Sequence, residues 1–476
     1  MLFRSLFILI PLAAVLLVNL PLRRLLTPAA FWLGLLLALA QAAAAVLVPD
    51  HAWIAPLGVA TRLLRFTPTA DLLTRVALLT IGLVGATALM VARAWMADPE
   101  RRFRFANLAL LALAGMNGVA LASDLFSLYV FLEVTAVSSF ILIACGGERD
   151  ALEGTFKYIL LSAAASVLIL AAVALLFVVA GSVSFGALHD VVPAAGRDPL
   201  VAAALVLLLA GLFIKSGIVP FHGWLPDAYS AAPAPASVLL AGIVTKTTGV
   251  YILMRAVTAV FTLDATVRAL LLAGGTLSVL IGAFAALGQR DMKRMLAYSS
   301  ISQVGYIILG LGAGSILGVA GALFHFFNHA VFKSLLFVNA AAVEQQAGTR
   351  DMDRLGGVAE RMPVTGTTSV IGFLSCAGIP PLAGFWSKLV VILALWQAGE
   401  RGYAAVAVLA SLVTIAYFLS MQRRVFFGKL AEGLAGLREA NPWLLVPACL
   451  LAAVTVGVGV GPWVLDILQL PAGSLP

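Results

Sequence analysis

Residues 200–222 read LVAAALVLLLAGLFIKSGIVPFH. An unbroken apolar run leads to a lysine, and a glycine and a proline follow within five positions. A helix that spans a bilayer needs about 20 mostly apolar residues, and this stretch is long enough. Proline removes a backbone donor and clashes with the preceding turn of a helix. The stretch therefore predicts a membrane helix that is interrupted beside Lys215.

The composition of the whole chain agrees with a lipid environment. Hydrophobic residues make up 62% of the 476 residues and charged residues 11%, whereas soluble domains have about 45–50% and about 25%. The net charge is +8, but no basic run or aromatic-basic face would follow a phosphate backbone, which excludes a nucleic-acid partner. The three cysteines lie in apolar segments without metal-ligand spacing, so we expect no metal and no cofactor.

The apolar segments predict an all-α polytopic membrane protein with about fourteen transmembrane helices. The first segment is followed by Pro21-Leu22-Arg23-Arg24 rather than by a cleavage site of small residues, so we interpret it as a helix and not as a signal peptide. The predicted spans are 2–20, 29–48, 70–95, 105–122, 124–145, 157–180, 200–221, 232–257, 267–288, 296–313, 316–343, 366–397, 403–427 and 442–468. The longest connections, about 50–69 and 344–365, leave no room for a nucleotide-binding or cofactor domain.

Lysine and arginine are distributed unequally between alternate loops. Loops after odd-numbered helices hold 17 of them and loops after even-numbered helices, with the termini, hold 7. Basic residues mark cytoplasmic loops. The count predicts a protein of the prokaryotic plasma membrane with both termini on the non-cytoplasmic side.

Six of the 30 basic residues remain once the 24 counted with the loops and termini are set aside. Arg75 and Lys157 lie near segment starts, where a long side chain reaches the interface. The four deep ones, Lys215, Lys246, Lys333 and Lys388, are all lysines, although the chain has far more arginine. A buried lysine can release its proton, whereas arginine stays charged. The choice of lysine favours a proton relay.

Glu133 is the clearest buried carboxylate. It lies nine residues after Asp124, which is about 14 Å into the predicted fifth helix. An ionisable group at this depth costs at least ~2.5–3.5 kcal/mol, so a function is the first hypothesis. The alternative is a structural Glu–Lys pair that holds two helices together.

The predicted eleventh helix carries His325, His329 and Lys333 at spacings i, i+4 and i+8. At 100° per residue they share one face over about 12 Å. Histidine titrates near neutrality, so such a stack can pass protons. Packing between helices and a two-histidine metal site are the alternatives, although no carboxylate or cysteine joins the pair at ligand spacing.

A second break stands in the predicted twelfth helix, which reads Gly378-Ile379-Pro380-Pro381 and then reaches Lys388. Paired broken helices in matching positions of two halves indicate an ion site in inverted-repeat transporters. The breaks are five helices apart, so we predict repeats of helices 4–8 (105–257) and 9–13 (267–427), preceded by 1–104 and followed by 442–468. Prolines that merely kink the helices are the alternative.

Polar residues also line the predicted tenth helix, in the stretch Ala297-Tyr298-Ser299-Ser300-Ile301-Ser302-Gln303. These groups either hold water for proton hopping or bond neighbouring helices.

Taken as a set, these motifs resemble one membrane-protein family, the antiporter-like subunits. Its members are the proton-pumping M and N subunits of respiratory complex I, the D subunit of Mrp-type cation/proton antiporters and membrane subunits of energy-converting hydrogenases. The resemblance covers about residues 105–430. It is carried by Ile214-Lys215, Pro220 to Asp227, Ala232-Pro233-Ala234-Pro235, Thr245-Lys246-Thr247, Leu296 to Tyr306, His329 to Phe337 and Gly378-Ile379-Pro380-Pro381 with Lys388.

The resemblance implies a fourteen-helix fold with two inverted five-helix repeats. It assigns Glu133 and Lys215 to the charge-coupling pair of the family, Lys246 to the central lysine and Lys388 to the terminal residue of the path. His325 and His329 then lie where the family carries relay residues. The Gly-Ile-Pro-Pro motif with Lys388 resembles the Mrp D or hydrogenase type, and the Trp-Leu-Pro-Asp turn is shared with complex I.

The expected function is translocation of H⁺, or exchange of Na⁺ and H⁺, in a complex with other membrane subunits. When the Glu133–Lys215 pair lengthens, the charge of Lys215 acts on Lys246 by ~2.8 kcal/mol at 6 Å and a dielectric of 20. A proton then moves along His325 and His329 towards Lys388. The chain has no catalytic site of its own, so any redox chemistry belongs to partners. A structural scaffold subunit and an Mrp-type antiporter subunit without redox chemistry are the alternatives.

Overall fold

The computed structural model describes residues 2–20, 23–48, 71–194, 198–261 and 263–461, and these ranges are almost wholly helical without a named strand. The helices in chain order are α1 Leu2–Val18, α2 Arg23–Leu47, α3 Leu72–Trp95, α4 Pro99–Leu121, α5 Leu125–Ala144, α6 Arg149–Ala180, α7 Phe185–Ala194, α8 Pro199–Ser216, α9 Trp224–Ala231, α10 Ala234–Ala259, α11 Ala265–Leu287, α12 Met292–Gly312, α13 Ile316–Ala347, α14 Pro363–Ala377, α15 Ala383–Gln397, α16 Arg401–Val425 and α17 Pro442–Val460. Single 3₁₀ turns at Met352–Arg354 and Val358–Glu360 connect α13 to α14.

The predicted all-helical membrane fold is confirmed. In the described ranges, twelve helices are long and apolar enough to cross a membrane. The shorter α1 and the pair α14–α15 occupy the two remaining predicted spans. Helix α7 was not predicted. The predicted connection 50–69 and the end of the last span, 462–468, lie outside the described residues.

Polar side chains fix where many of the helices begin. An N-cap oxygen accepts one of the backbone N–H groups that a helix start leaves unpaired. Such caps begin α3, α4, α5, α11, α12 and α13, at Asp71, Asp98, Asp124, Asp264, Asp291 and Ser315. These caps lie at the ends of apolar segments, where polar groups reach the membrane surface.

Both predicted interruptions are present. Helix α8 ends at Ser216 and Gly217 follows with φ +66°, and α14 ends at Ala377 and Gly378 follows with φ +84°. A side chain disfavours this left-handed backbone, and glycine adopts it freely. Each break also contains a cis X-Pro bond, Val219–Pro220 in the first and Pro380–Pro381 in the second.

The described chain divides into two compact units. The first unit takes its described residues from Met1–Ala92, Met96–Ser216 and Ile243–Thr262, and the second from Arg93–Trp95, Gly217–Gly242 and Leu263–Pro476. In the second unit, α11, α12, α15 and α16 meet in an apolar core that includes Val279, Leu309, Val391 and Ala407.

Helix α10 departs from regular α-helical geometry in its middle, where Leu240–Val244 and Lys246–Tyr251 form π-helical turns. Such turns occur often at functional sites. Within the first unit, the second of them packs closely on the end of α8, because a Cβ atom at Gly249 would lie 2.6 Å from the backbone nitrogen of Ser216. The close approach brings the turn of Lys246 against the turn that carries Lys215.

Candidate functional site

Lys215 is the centre of a polar cluster in the first unit. It lies at the end of α8 and is 2% exposed. Its Nζ donates to Ser162 Oγ at 2.6 Å and to Ser166 Oγ at 3.1 Å. These serines are four residues apart on α6, so they present both hydroxyls on one face. Glu133 on α5 completes the cluster, with Oε1 at 3.5 Å from Nζ.

The carboxylate and the ammonium of this cluster differ in exposure. The side chain of Lys215 is 1% exposed and that of Glu133 is 33% exposed. Ser166 donates a short hydrogen bond to Glu133 Oε1 and also accepts from Lys215. Glu133 and Lys215 thus interact both directly and through the Ser166 hydroxyl. At 3.5 Å and an effective dielectric of 20, two unit charges attract by about 4.7 kcal/mol.

Lys246 lies deep in the same unit. It starts the second π-helical turn of α10 and its side chain is fully buried, at 0% exposure. Thr247 and Thr248 beside it donate to carbonyls of their own helix, Ile243 O at 3.0 Å and Val244 O at 2.9 Å. The neighbouring hydroxyls are therefore engaged with the backbone of α10.

Lys333, on α13, is a fully buried cation of the second unit. Its Nζ donates to Ser299 Oγ at 2.6 Å and to the carbonyl of Leu296 at 3.1 Å. Tyr417 of α16 donates to the same Ser299 hydroxyl at 2.8 Å. Cys376 Sγ lies 4.0 Å from that oxygen. Ser299 thus joins three helices at the ammonium.

The two histidines stack along α13, with ring centroids 6.2 Å apart and an interplanar angle of 14°. Both are fully buried. His325 Nδ1 hydrogen-bonds to Ser387 Oγ at 2.9 Å, the residue that precedes Lys388. The order along this unit is therefore Lys333, His329, His325 and then the start of α15.

Lys388 follows the second helix break and is 3% exposed. Among the described residues its Nζ makes no hydrogen bond, and it lies 4.5 Å from the ring centroid of Tyr306. The Tyr306 ring is in turn 5.8 Å from that of His325. A cation over an aromatic face gains part of the stabilisation that water would supply.

The structure thus brings together Glu133 with Lys215, and separately Lys333, His329, His325 and Lys388. The sequence analysis did not identify Ser162 and Ser166, the hydroxyls beside Glu133 and Lys215. The i, i+4 pair Ser162 and Ser166 in an apolar helix was a usable signal. In the predicted polar stretch, Ser299 accepts from Lys333, whereas Ser302 donates to Val279 O of α11 at 3.0 Å. Within the described ranges, no three His, Cys, Asp or Glu side chains gather as metal ligands.

Among the described residues, three basic residues counted with the loops and termini are buried within helices, and one of them is Arg4 of α1, at 7% exposed. Lys293 lies within α12 and is 2% exposed, and Arg255 lies within α10 and is 6% exposed. Arg255 binds Asp71 with two contacts, at 2.5 and 3.0 Å. Burial raises the pKa of Asp71, but the hydrogen bonds and the charge of Arg255 outweigh it and lower the pKa to about 2. Arg255 and Lys293 each bind a partner that is distant in sequence, so the local sequence did not indicate their burial.

The two residues expected near the interface behave differently from the deep lysines. Arg75 donates to the carbonyls of Ala45 and Val48, at 3.2 and 3.3 Å, beside the end of α2. Lys157 has a side chain 43% exposed and pairs with Glu153, four residues earlier on α6, at 2.7 Å.

Comparisons with known proteins agree on one family. A family model described as NADH:quinone oxidoreductase/Mrp antiporter, TM, matches residues 122–414. NADH-quinone oxidoreductase subunit N of Desulforudis audaxviator is 36% identical over 400 residues, which cover 82% of this chain and 79% of that protein. The D subunit of the Na(+)/H(+) antiporter of Alkalihalophilus pseudofirmus is 33% identical over 410 residues, 86% and 81% of the two chains. A chain in the structure of the Mrp complex from Dietzia sp. superposes with a TM-score of 0.88 at 28% identity, covering 98% of this chain and 95% of that one.

Proposed function

Because the chain belongs to the NADH:quinone oxidoreductase/Mrp antiporter transmembrane family, we propose that it translocates protons, or exchanges Na⁺ and H⁺, as one subunit of a multi-subunit membrane complex. One observation carries the proposal: Lys215, Lys246, Lys333 and Lys388 are each 3% exposed or less, inside or at the ends of apolar helices. Ionisable groups at such depth are functional by default.

The proposed coupling step begins at Glu133. A change in a neighbouring subunit that lengthens the contact of Glu133 with Lys215 releases up to about 4.7 kcal/mol of attraction. The positive field of Lys215 then acts on Lys246, whose π-helical turn packs on the same helix end. This field favours loss of a proton from Lys246. Proton release then follows in the second unit, in the order Lys333, His329, His325 and Lys388.

The exposed third of Glu133 supports a partner on that face of α5. A carboxylate facing hydrocarbon alone is costly, and contact with another membrane subunit provides polar groups instead. The relatives named above include a quinone oxidoreductase subunit and an antiporter subunit. The family membership therefore supports both a redox-driven and an Mrp-type complex, and the genes adjacent to this one distinguish them.

The proposed arrangement of the chain has repeats at 105–257 and 267–427, in the plasma membrane of a prokaryote. Two isolated backbone β-bridges in matching positions support the repeats. Asp124, before α5, pairs with Ser184, after α6. Asp291, before α12, pairs with Asp351, after α13. Each aspartate also caps the helix that follows it. The count of basic residues supports both termini on the non-cytoplasmic side, and labelling of the exposed Cys145 by an impermeant maleimide from the cytoplasmic side tests it.

The decisive test is Lys246→Ala in the assembled complex, with ion translocation measured in membrane vesicles. We expect loss of translocation with normal assembly. The exposed Lys157→Ala on α6 is the control and should translocate normally. Normal translocation by the Lys246→Ala variant would refute the proposed path. A scaffold role instead requires that Glu133→Gln weaken assembly and leave translocation intact.

A further inference from the structure

The second unit contains a pair of opposite charges that is separate from the proposed relay. The Lys293 side chain, at the start of α12, is 3% exposed and its Nζ lies 3.9 Å from Glu344 Oε2 near the end of α13. The same Nζ donates to the carbonyl of Ala232 at 2.7 Å. Buried charges stabilise a protein only when their pairing geometry is excellent. A pair this long is a poor stabiliser, which points to another role.

Glu344 also faces a second cation. Its Oε1 lies 3.8 Å from Arg350 Nη1, but Arg350 is already paired through Nε with Asp291 at 2.6 Å. Glu344 Oε2 is buried and accepts no hydrogen bond from the described residues. The side chain is nevertheless 22% exposed. The Glu344 side chain therefore reaches the surface, and its Oε2 atom can still accept a hydrogen bond.

Glu344 lies on the relay face of α13. Eleven residues separate it from Lys333, which is three helical turns and about 16 Å. At 100° per residue, His325, His329, Lys333 and Glu344 fall within a sector of about 100°. One stripe of this helix thus carries ionisable groups from the surface to the middle of the second unit.

Two apolar residues, Phe337 and Ala340, interrupt the line of ionisable groups between Glu344 and Lys333, and we call them the apolar step. Phe337 and Ala340 occupy this part of the face, and each is 1% exposed. The Phe337 ring packs edge-on against Tyr229, with centroids 6.2 Å apart. The carboxylate and the ammonium are therefore separated by about two turns without a polar side chain on the line between them.

We propose that Glu344 is the proton-loading residue at the surface end of the relay, and that the apolar step at Phe337 and Ala340 separates loading from transfer to Lys333. This inference rests on the proposed function and deepens it. Glu344 takes up a proton from water on the side that the basic loops predict to be cytoplasmic. Lys293 and Arg350 position its carboxylate, and the stored proton passes on when the step opens.

The charged groups around Glu344 come from the elements packed on this end of α13. The start of α12 provides Asp291, Lys293 and Arg294, and α9 provides Asp227, which binds Arg294 at 2.6 Å. Arg350 follows α13. The early turns of α10 (234–239), α14 and α17 contain no Asp, Glu, Lys, Arg or His, and α15 contributes only the distant Lys388.

The test is Glu344→Gln in the assembled complex, with the initial rate of ion translocation measured at pH 8 and pH 6 on the loading side. A loading carboxylate concentrates protons where they are scarce. We expect the rate at pH 8 to fall at least tenfold and the rate at pH 6 to recover to within about threefold of the wild type. Glu360→Gln, an exposed carboxylate in the following connection, is the matched control and should behave as wild type at both values.

Two other results would overturn the inference. A rate that is unchanged at pH 8, or that falls equally at both pH values, means that Glu344 does not load protons. Glu344→Asp covers the case in which the glutamine variant does not assemble: it keeps the carboxylate and should retain more than half the rate at pH 8. If Lys246→Ala blocks translocation while Glu344→Gln does not change it, this inference alone fails. If Lys246→Ala translocates normally, the proposed function fails first.

Discussion

Replacement of Glu133 by glutamine removes one charge from the first unit with little change in shape. The carboxylate oxygen lies 3.5 Å from Lys215 Nζ, so the lost attraction is at most about 4.7 kcal/mol. Because a third of the Glu133 side chain is exposed, solvent screening reduces this to about 2–4 kcal/mol. The hydrogen bonds from Lys215 to Ser162 and Ser166 remain. We expect the complex to assemble, with the Lys215 ammonium no longer stabilised by an opposite charge.

The expected effect is on rate. Each 1.4 kcal/mol corresponds to about a factor of ten, so translocation should slow at least about tenfold. The assay is dye-reported ΔpH formation in inverted membrane vesicles, normalised to the amount of assembled complex. Glu133→Asp keeps the charge and should retain more activity than the glutamine variant. Glu153→Gln on α6 makes the same change in an exposed pair with Lys157, which contributes little.

A role for the Glu133 charge is refuted if Glu133→Gln translocates at the rate of Glu153→Gln. It is also refuted if aspartate and glutamine at position 133 slow translocation equally, since the charge would then be irrelevant. Loss of assembled complex with normal specific rate would instead favour the scaffold role.

Three further changes test separate parts of the structure. Gly249→Ala places a methyl group against the end of α8, and overpacking should cost about 1–3 kcal/mol, seen as a lower Tm and slower translocation. Ser387→Ala removes the partner of His325 and should slow translocation about fivefold, the equivalent of about 1 kcal/mol for an unpaired buried group. Asp71→Asn should lower stability by about 1 kcal/mol above pH 4, since half of that side chain is exposed and screened.

Each of these changes has a comparison that can contradict it. Gly402→Ala, where a Cβ atom meets nothing within 4 Å, should leave the Tm unchanged, and an equal loss in both variants would reject the packing argument. Ser387→Thr should restore the rate. The folded-state pKa of Asp71, about 2, is below the unfolded value of about 3.9, so its contribution is lost as the pH falls from about 4 to about 2. A thermal shift of wild type relative to Asp71→Asn that persists at pH 2 would contradict this.

Much of the fold follows from local sequence. Apolar runs of about 20 residues predict the spans because every backbone group in lipid must be paired within a helix. The breaks at Gly217 and Gly378 follow from the combination of glycine and proline, and both are present. Helix α7 was missed because it lies in a connection and carries no long apolar run. The π-helical turns of α10 depend on close packing at Gly249, which no local pattern indicates.

Local sequence likewise predicts some residues of the candidate site and not others. Depth along a predicted helix identified Glu133 and Lys215, because a charge in hydrocarbon stands out in the sequence. Lys293 was assigned to a loop because it is near a helix start, and when buried it donates to the carbonyl of Ala232, 61 positions earlier in the chain. The role of Ser299 depends on Tyr417 of another helix. Contacts between helices decide these cases, and a single sequence does not contain them.

The unequal distribution of carboxylates has an electrical consequence. Lys215 has Glu133 beside it, whereas the described carboxylates of the second unit lie at or near helix ends and in connections. A proton carried between Lys333 and Lys388 is then a net charge that moves within the membrane field. A full crossing corresponds to about 2.3 kcal/mol per elementary charge per 100 mV. On the proposed path, the membrane voltage therefore acts directly on the protonation of these second-unit residues, even when the pH is equal on both sides.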